Sequence, residues 1–261
     1  MLEAPAMPAP PTPPGLPLGP EAAAWVLPLL FAVTFLLGSI PWGVVIARLG
    51  FGKDIRAEGS GNIGTTNAMR TLGKAGGLAV FLLDFGKGVL SGYLGSVAAA
   101  AFSADAAWAA WLALPLAFAG CVLGHVFSPW LGFKGGKGIA VAIGALLFVM
   151  GPVPALIEVG LFAVLAASTR YVSVGSIAAA LLCPFLALWT YWGHWLSAAI
   201  IAATALVVVW AHRGNIARLR AGTENRVGAK KKAAAQAAEA AQAGPAPELG
   251  ATGSDREGGA A

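Results

Sequence analysis

Small polar residues alternate with glycine in one segment of the chain, Glu58-Gly-Ser-Gly-Asn-Ile-Gly-Thr-Thr-Asn-Ala-Met-Arg70. Glycine lets backbone N–H groups approach an anion closely, and hydroxyl and amide side chains add directional hydrogen bonds. Arg70 adds a guanidinium fork that matches the oxygens of a phosphate. The segment therefore predicts an anion site, although a flexible connecting loop would have a similar composition. Its candidate ligands are Ser60, Gly61, Asn62, Thr65, Thr66, Asn67 and Arg70.

A second segment reads Phe133-Lys-Gly-Gly-Lys-Gly138 and is followed by an apolar run that begins at Ile139. If a helix starts there, its free N–H groups and positive end lie beside Lys134, Gly135, Gly136, Lys137 and Gly138. This arrangement also favours an anion. The spacing is not that of a nucleotide P-loop, so ATP binding is not predicted. A basic turn at a membrane edge is the alternative.

Two further segments carry polar groups of the same kind. In Arg170-Tyr-Val-Ser-Val-Gly-Ser176, either Ser173 or Ser176 caps a helix or faces a ligand. His212 and Asn215 are three residues apart, hence on one face if the segment is helical. A lone histidine at this place is also an ordinary interfacial anchor.

The elements that hold these segments are membrane helices. The chain has 261 residues, of which 57% are hydrophobic and 11% charged, with a mean hydropathy of +0.74, whereas soluble domains average about 25% charged residues. Basic residues are scattered between apolar runs rather than gathered on an aromatic-rich surface, so nucleic-acid binding is not predicted. Cys121 and Cys183 show no metal or disulfide spacing. No metal or cofactor is predicted.

Apolar runs bounded by glycine, proline and charge predict seven transmembrane helices in an all-α, polytopic integral membrane bundle. The fourth is too short to cross alone, and Gly151-Pro-Val-Pro154 separates it from the fifth, so one broken helix is the alternative. The predicted spans are Ala24–Ala47, Leu78–Ala101, Trp108–Phe127, Ile139–Met150, Val153–Ser168, Ser176–Trp192 and Trp195–Ala211.

Lysine and arginine are retained on the cytoplasmic side of membranes and so predict the orientation. With seven spans, every basic segment falls on one side, which places the N-terminus outside and the C-terminus in the cytoplasm. The four polar segments then meet on the cytoplasmic face, where a phosphorylated ligand is expected. The basic residues are Lys53, Arg56, Arg70, Lys74, Lys134, Lys137, Arg170, Arg213, Arg218 and Arg220.

Composition also divides the chain into three parts. Residues 1–22 are rich in proline and alanine, and residues 229–261 are of low complexity, so both are predicted to be disordered tails around a membrane domain at 23–228. Inside the spans, Asp84 and Lys87 are spaced to pair with each other, whereas Glu158 has no evident partner.

Three of these segments resemble the signature motifs of the bacterial acyl-phosphate:glycerol-3-phosphate acyltransferases (PlsY). They are Gly59 to Arg70, Lys134 to Gly138 and His212 to Glu224. Gly38-Ser-Ile-Pro41, Asp84-Phe-Gly-Lys-Gly88 and His125 to Pro129 are similar to the family as well. The resemblance covers roughly residues 38–228.

The resemblance implies transfer of a fatty acyl group from acyl phosphate to the 1-hydroxyl of glycerol 3-phosphate, giving lysophosphatidic acid and phosphate. It implies a place in the bacterial inner membrane, a cytoplasmic active site, contact with membrane lipids and a functional link to the enzyme that makes acyl phosphate. A transporter of a phosphorylated solute is the alternative, but transporters place their sites near the midplane.

The resemblance also implies roles for individual residues. Lys137 and the glycine amides around it bind glycerol 3-phosphate, Ser60, Asn62 and Arg70 bind the acyl phosphate, and His212 and Asn215 bridge the two. Glu224 is structural. The base is either His212 or a substrate phosphate, and the second is favoured because no motif carboxylate is placed to orient His212.

Overall fold

The structure, a computed structural model, describes residues 18–228, and this part of the chain is helical as predicted. Single turns of 3₁₀ helix occur at Ala104–Ala106 and Pro129–Leu131. The helices are α1 (Pro20–Ser39), α2 (Trp42–Phe51), α3 (Thr65–Thr71), α4 (Gly73–Ala101), α5 (Ala107–Val126), α6 (Ile139–Met150), α7 (Pro152–Thr169), α8 (Val172–Thr190), α9 (Trp195–Ala211) and α10 (Arg213–Arg220).

All seven predicted spans are helical, but they are not equal in length. Within residues 18–228, five segments are long and apolar enough to cross a membrane, and α9 with α10 makes a sixth if that pair, bent by 50°, counts as one span. The remaining predicted span is α6, which has 12 residues and is about 18 Å long. It is too short to cross a hydrocarbon core of about 30 Å. The reason is Gly151, whose left-handed φ of 75° ends α6 before Pro152 begins α7.

The first span is interrupted where Pro41 follows Ile40. Proline has no N–H and its ring excludes a continuous helix, so α1 ends at Ser39 and α2 begins at Trp42. The span nevertheless starts earlier than predicted, at Pro20. Leu18 also donates a backbone hydrogen bond to Ala101. The predicted N-terminal tail is therefore ordered over residues 18–22, and its remainder and the whole C-terminal tail lie outside the described residues.

Helix α5 is the centre of the bundle, because it packs against α1, α4, α6 and α9. Its buried face consists mainly of alanine, glycine and valine, small residues that let helices approach closely in lipid. Its last turn carries His125 and Val126 and leads directly into the segment with the two lysines. The central helix thus fixes the starting point of a predicted anion loop.

Two acidic side chains are buried within the spans in different surroundings. Asp84 Oδ1 lies 3.0 Å from the ammonium of Lys87 on the same helix. Glu158 on α7 is also buried. Among residues 18–228, neither Asp84 Oδ1 nor Glu158 Oε2 has a hydrogen-bond partner, but Glu158, unlike Asp84, forms no salt bridge there. A charged carboxylate in hydrocarbon is costly unless it is paired, so only the first site suits an ion.

Candidate functional site

Three separated segments surround an open cavity of about 490 Å³ at one end of the bundle. The first is the loop between α2 and α3, the second is the lysine segment between α5 and α6, and the third is the junction of α9 and α10. The lining residues are Ser60, Gly61, Asn62, Val126, Phe133, Lys134, Gly135, Gly136, Lys137, Trp210, Ala211, Arg213, Gly214, Asn215 and Arg218.

The first wall of the cavity, which we call the glycine loop (residues 59–67), is organised by one buried side chain. Asn67 Nδ2 lies 2.9 to 3.1 Å from the carbonyl oxygens of Ile55, Glu58 and Asn62, to which it donates. Its Oδ1 accepts the backbone N–H of Ser60 at 2.8 Å. Since both ends of the amide are occupied, we reassign Asn67 from ligand contact to holding the loop in shape.

The second wall, which we call the lysine loop (residues 133–138), lies against the end of α5. Gly135 N donates to Val126 O, and Gly136 N donates to His125 O, both at 3.0 Å. These two amides are therefore not available to a phosphate, although both glycines line the cavity. Gly138 adopts a φ of 84°, in the left-handed region that favours glycine, and starts α6.

Lys137 is the cation of this loop that is best placed for an anion. Burial lowers its pKa to about 8, and the positive charges of Arg218 and Arg70 add to the effect while Glu224 opposes it. Among residues 18–228, neither Lys137 nor Arg70 forms a salt bridge. A partly buried cation without a carboxylate partner favours binding of an external anion.

Arg70 is on α3 and does not line the cavity directly, but it belongs to the same electrostatic group. Burial lowers the pKa of Arg70, Glu224 raises it and Arg218 lowers it. These charges act on Lys137 as well, so the four residues share one field. The concentration of three cations around one carboxylate leaves the cavity positive overall.

The third wall is held by Glu224. Its Oε1 accepts hydrogen bonds from Asn215 Nδ2 at 2.7 Å and from Ser173 Oγ at 3.0 Å, and its Oε2 accepts one from Arg218 Nε at 2.7 Å. Burial alone would raise the pKa of Glu224, but these donors lower it overall. Glu224 thus joins α10 to the start of α8.

His212 lies between α9 and α10 and is buried. Its Nδ1 is 2.8 Å from the carbonyl oxygen of Val208, which can only accept, so Nδ1 carries the proton and Nε2 has a free lone pair. Burial lowers the pKa of His212 to about 4, with a further decrease from Lys137. The imidazole is therefore neutral near pH 7 and acts as a hydrogen-bond acceptor.

The cavity collects about half of the predicted site residues. Ser60, Gly61, Asn62, Lys134, Gly135, Gly136, Lys137 and Asn215 line it. Eight others lie outside its lining, namely Thr65, Thr66, Asn67, Arg70, Gly138, Ser173, Ser176 and His212. Of the two serines left open by the sequence, Ser173 binds Glu224, and Ser176 is buried one turn further along α8.

Sequence reasoning missed seven residues of the lining, namely Val126, Phe133, Trp210, Ala211, Arg213, Gly214 and Arg218. The two arginines were assigned only to membrane orientation. Arg213 stacks on the ring of Trp210, with its guanidinium carbon 3.9 Å from the ring centroid. The spacing of Asn215 and Arg218, three residues apart and so on one helical face, would have indicated a shared role.

Comparison with known proteins gives a consistent picture. A family model described as Glycerol-3-phosphate acyltransferase matches residues 28–222. A glycerol-3-phosphate acyltransferase of Rhodopseudomonas palustris (strain BisB5) is 43% identical over 75% of this chain and 93% of its own length. One of Thermosynechococcus vestitus is 41% identical over 79% of this chain and 97% of its own length.

Two solved structures share the fold. The crystal structure of PlsY (YgiH), an integral membrane glycerol 3-phosphate acyltransferase, in its glycerol 3-phosphate form is 36% identical, with a TM-score of 0.66. That alignment covers 78% of this chain and 97% of the crystallised one. The lysophosphatidic acid form of the same protein is 33% identical, with a TM-score of 0.64 over 77% and 95% of the two chains.

Proposed function

This chain belongs to the glycerol-3-phosphate acyltransferase family, and on that premise we propose that it transfers a fatty acyl group from acyl phosphate to the 1-hydroxyl of glycerol 3-phosphate. The hydroxyl oxygen attacks the carbonyl carbon of the acyl phosphate, and a new ester C–O bond forms. The bond from that carbon to the phosphate oxygen breaks. Lysophosphatidic acid and inorganic phosphate are released.

The observation that carries the proposal is the positive cavity at one end of an apolar bundle. Lys134, Lys137, Arg213 and Arg218 line it from two separate segments. Both proposed substrates carry a phosphate, and one carries a long acyl chain. A site for the pair requires cations and apolar surface, and the lining combines its four cations with the apolar side chains of Val126, Phe133 and Trp210.

Lys137 binds the phosphate of glycerol 3-phosphate in this scheme. An ammonium with a pKa of about 8 is mostly protonated at pH 7, and a bound dianion stabilises that form further. The N–H groups of Gly135 and Gly136 do not contribute, because α5 already accepts them. The contact is thus made by the side chain of Lys137, with Lys134 beside it.

The glycine loop faces the acyl phosphate. Ser60 and Asn62 line the cavity and supply a hydroxyl donor and an amide donor. Arg70 adds positive charge behind them. As the carbonyl oxygen and the leaving phosphate gain negative charge in the transition state, fixed donors of this kind lower the barrier.

A substrate phosphate takes the proton of the attacking hydroxyl. A phosphate monoester has a second pKa of about 6, whereas burial sets the pKa of His212 to about 4. The phosphate is therefore the stronger base of the two. His212 orients the hydroxyl through the lone pair on Nε2 from just outside the cavity lining, and Asn215, three residues later, lines the cavity itself.

We propose that this site faces the cytoplasm, with the N-terminus outside, in the inner membrane of a bacterium. The lysine and arginine pattern supports this orientation. The α2–α3 loop, the lysine loop and the α9–α10 junction also meet at one cavity. The chain returns to this end of the bundle only if α6 and α7 run in opposite directions as two separate helices, which further supports the orientation. Acyl phosphate then comes from a separate enzyme that makes it.

Phosphate release by the purified protein tests the proposal. With palmitoyl phosphate as donor, release should require glycerol 3-phosphate. Palmitoyl-CoA should not replace the donor, because none of His125, His194 and His212 is followed by an aspartate at the HxxxxD spacing of the other glycerolipid acyltransferases. Turnover with the thioester would contradict the donor assignment. A folded protein that binds glycerol 3-phosphate but turns over neither donor would favour transport of a phosphorylated solute instead.

A further inference from the structure

A buried polar cluster lies next to the lysine loop and outside the cavity lining. It consists of Asp84 and Lys87 on α4 and His125 on α5, each less than 5% exposed. Lys87 Nζ is 3.0 Å from His125 Nδ1 and 3.0 Å from Asp84 Oδ1. Ionisable groups at this depth are costly, so their presence calls for a function.

The cluster fixes the orientation and tautomer of the imidazole. An ammonium only donates hydrogen bonds, so Nδ1 of His125 accepts from Lys87 and the neutral ring carries its proton on Nε2. Lys87 also donates to the carbonyl oxygens of Gly38 at 2.7 Å and Ile40 at 3.0 Å, where α1 stops before Pro41. The ring is thus anchored to three helices.

The opposite edge of the His125 ring is the surface on which the lysine loop rests. A Cβ added to Gly136 would overlap this ring, because its three nearest atoms are Nε2, Cδ2 and Cε1 of His125. The backbone of Gly136 also donates to the His125 carbonyl. Any shift of the ring therefore moves the loop from which Lys137 extends.

We propose that His125, held by Lys87 and Asp84, is a positioning residue that sets the place of Lys137 in the cavity. It touches neither substrate. Its contribution is to keep the loop close to α5, so that the ammonium reaches the phosphate. The inference rests on the proposed function, because its test measures that reaction. It gives a role to three residues that were not assigned to either substrate.

A double-mutant cycle between His125 and Gly136 tests this contact. Gly136 does not adopt a left-handed φ, so Gly136→Ala is strained only by the ring and should push the loop outward. We expect a KM for glycerol 3-phosphate raised by roughly tenfold, with kcat changed by less than about threefold. His125→Asn keeps a hydrogen-bond acceptor for Lys87 and replaces the ring with a shorter side chain. It should raise KM similarly, and the double variant should be no worse than His125→Asn alone.

Gly135→Ala is the matched control. A Cβ at this position would meet the carbonyl oxygen of His125, which is backbone and remains in every variant. Its effect should therefore add to that of His125→Asn. Ser91→Ala controls for folding, because it also removes a hydrogen bond between α4 and α5, that from Ser91 Oγ to Ala117 O. It should lower stability without changing KM.

Additive effects of Gly136→Ala and His125→Asn would overturn the inference, and so would a loss confined to kcat. If His125→Asn does not fold, His125→Ala completes the same cycle. Glycerol 3-phosphate binding by calorimetry is measured on the same variants. A parent protein that binds this ligand without turnover would contradict the proposed function, whereas a parent that turns over but shows no coupling would contradict only the role of His125.

Discussion

The glycine loop and the lysine loop face each other across the cavity, but they keep their shapes by different means. The glycine loop is held from within, because Asn67 bonds four backbone groups of residues 55–62. The lysine loop is held from outside, by the last turn of α5. One loop thus depends on its own sequence, and the other depends on where the membrane helices lie.

The difference also determines which backbone groups are free to bind a ligand. In the lysine loop, α5 takes the amides of Gly135 and Gly136, and the ammonium of Lys137 is left as the contact. In the glycine loop the inner groups are satisfied by Asn67, and Ser60 and Asn62 face the cavity. Each loop therefore contacts the ligand through side chains, and the hydrogen bonds of its backbone hold these side chains in position.

Removal of Lys137 should have the largest effect and should leave both loops in place. Lys137→Ala deletes the unpaired cation, whose side chain forms no salt bridge within residues 18–228. We expect acyl transfer to fall by about 10²- to 10³-fold, as when one group that stabilises charge is lost. The melting temperature should equal or exceed that of the parent, because burial disfavours the charged ammonium in the folded protein. Phosphate release and thermal unfolding in detergent measure the two quantities.

Lys74→Ala is the control for Lys137→Ala. It removes a positive charge from the start of α4, outside the cavity lining, and should retain the parent rate. Equal losses in the two variants would show that the charge of the whole face, rather than the lysine loop, accounts for the activity.

Replacement of Asn67, unlike that of Lys137, should lower the stability of the protein as well as its activity. Asn67→Ala leaves the carbonyls of Ile55 and Asn62 and the Ser60 N–H without this partner, whereas the Glu58 carbonyl still accepts from Gly61 N. Each buried polar group left unpaired costs about 1–3 kcal/mol. We expect a clear loss of melting temperature together with a loss of activity of about a hundredfold. The glycine loop, unlike the lysine loop, should thus lose stability and activity in the same variant.

The control is Thr71→Ala on the neighbouring helix. Thr71 Oγ1 donates only to the Asn67 carbonyl within the same helix, so its loss should change neither quantity by much. An Asn67→Ala protein with the parent melting temperature would contradict the view that this side chain holds the loop.

The same contrast explains what could be read from the sequence. The segments that form the cavity were found because their polar residues are contiguous and their charges fall on one side of the predicted spans. The use of the glycine amides by α5 could not be found, because it depends on a contact between Gly136 and His125 that no local pattern encodes. Membership of the family was predicted from the motifs and is confirmed.

The span count shows a similar limit. Periodicity and composition locate each helix, and the predicted span Ile139–Met150 has the same bounds as α6. The left-handed φ of Gly151, which ends that helix, cannot be read from a hydrophobic run. Arg218 was likewise taken for a membrane-edge charge, since only the folded chain brings Glu224 to it.

Glu224 should give a smaller effect, mostly on stability, because it closes the third wall and touches no substrate. Glu224→Ala removes the acceptor for Ser173, Asn215 and Arg218. We expect the free energy of unfolding to fall by about 2 kcal/mol and activity to fall by only a few fold. Glu224→Gln keeps a carbonyl acceptor and should lose about half as much. Equal losses in the two variants would point to the charge rather than to the hydrogen bonds.

The smallest predicted effect is a pH dependence that only the lysine loop can produce. Lys137 has a pKa of about 8, His212 of about 4, and the glycine loop offers hydroxyl and amide groups that do not titrate. Glycerol 3-phosphate is a dianion throughout pH 7–9. Above pH 8, binding must bring a proton to Lys137, so KM should rise, by at most tenfold per pH unit, while kcat stays level.

Over the same pH range, substrate binding should weaken whereas the stability of the free protein should increase. The folded pKa of Lys137 is lowered from its usual 10.5 to about 8, so between these values the unfolded chain binds more protons and raising the pH favours the fold. Lys137→Arg, which remains charged at pH 9, should remove both trends. A rise in KM above pH 8 that persists in Lys137→Arg would assign the titration to a group outside the lysine loop, and the two walls would then no longer differ in this respect.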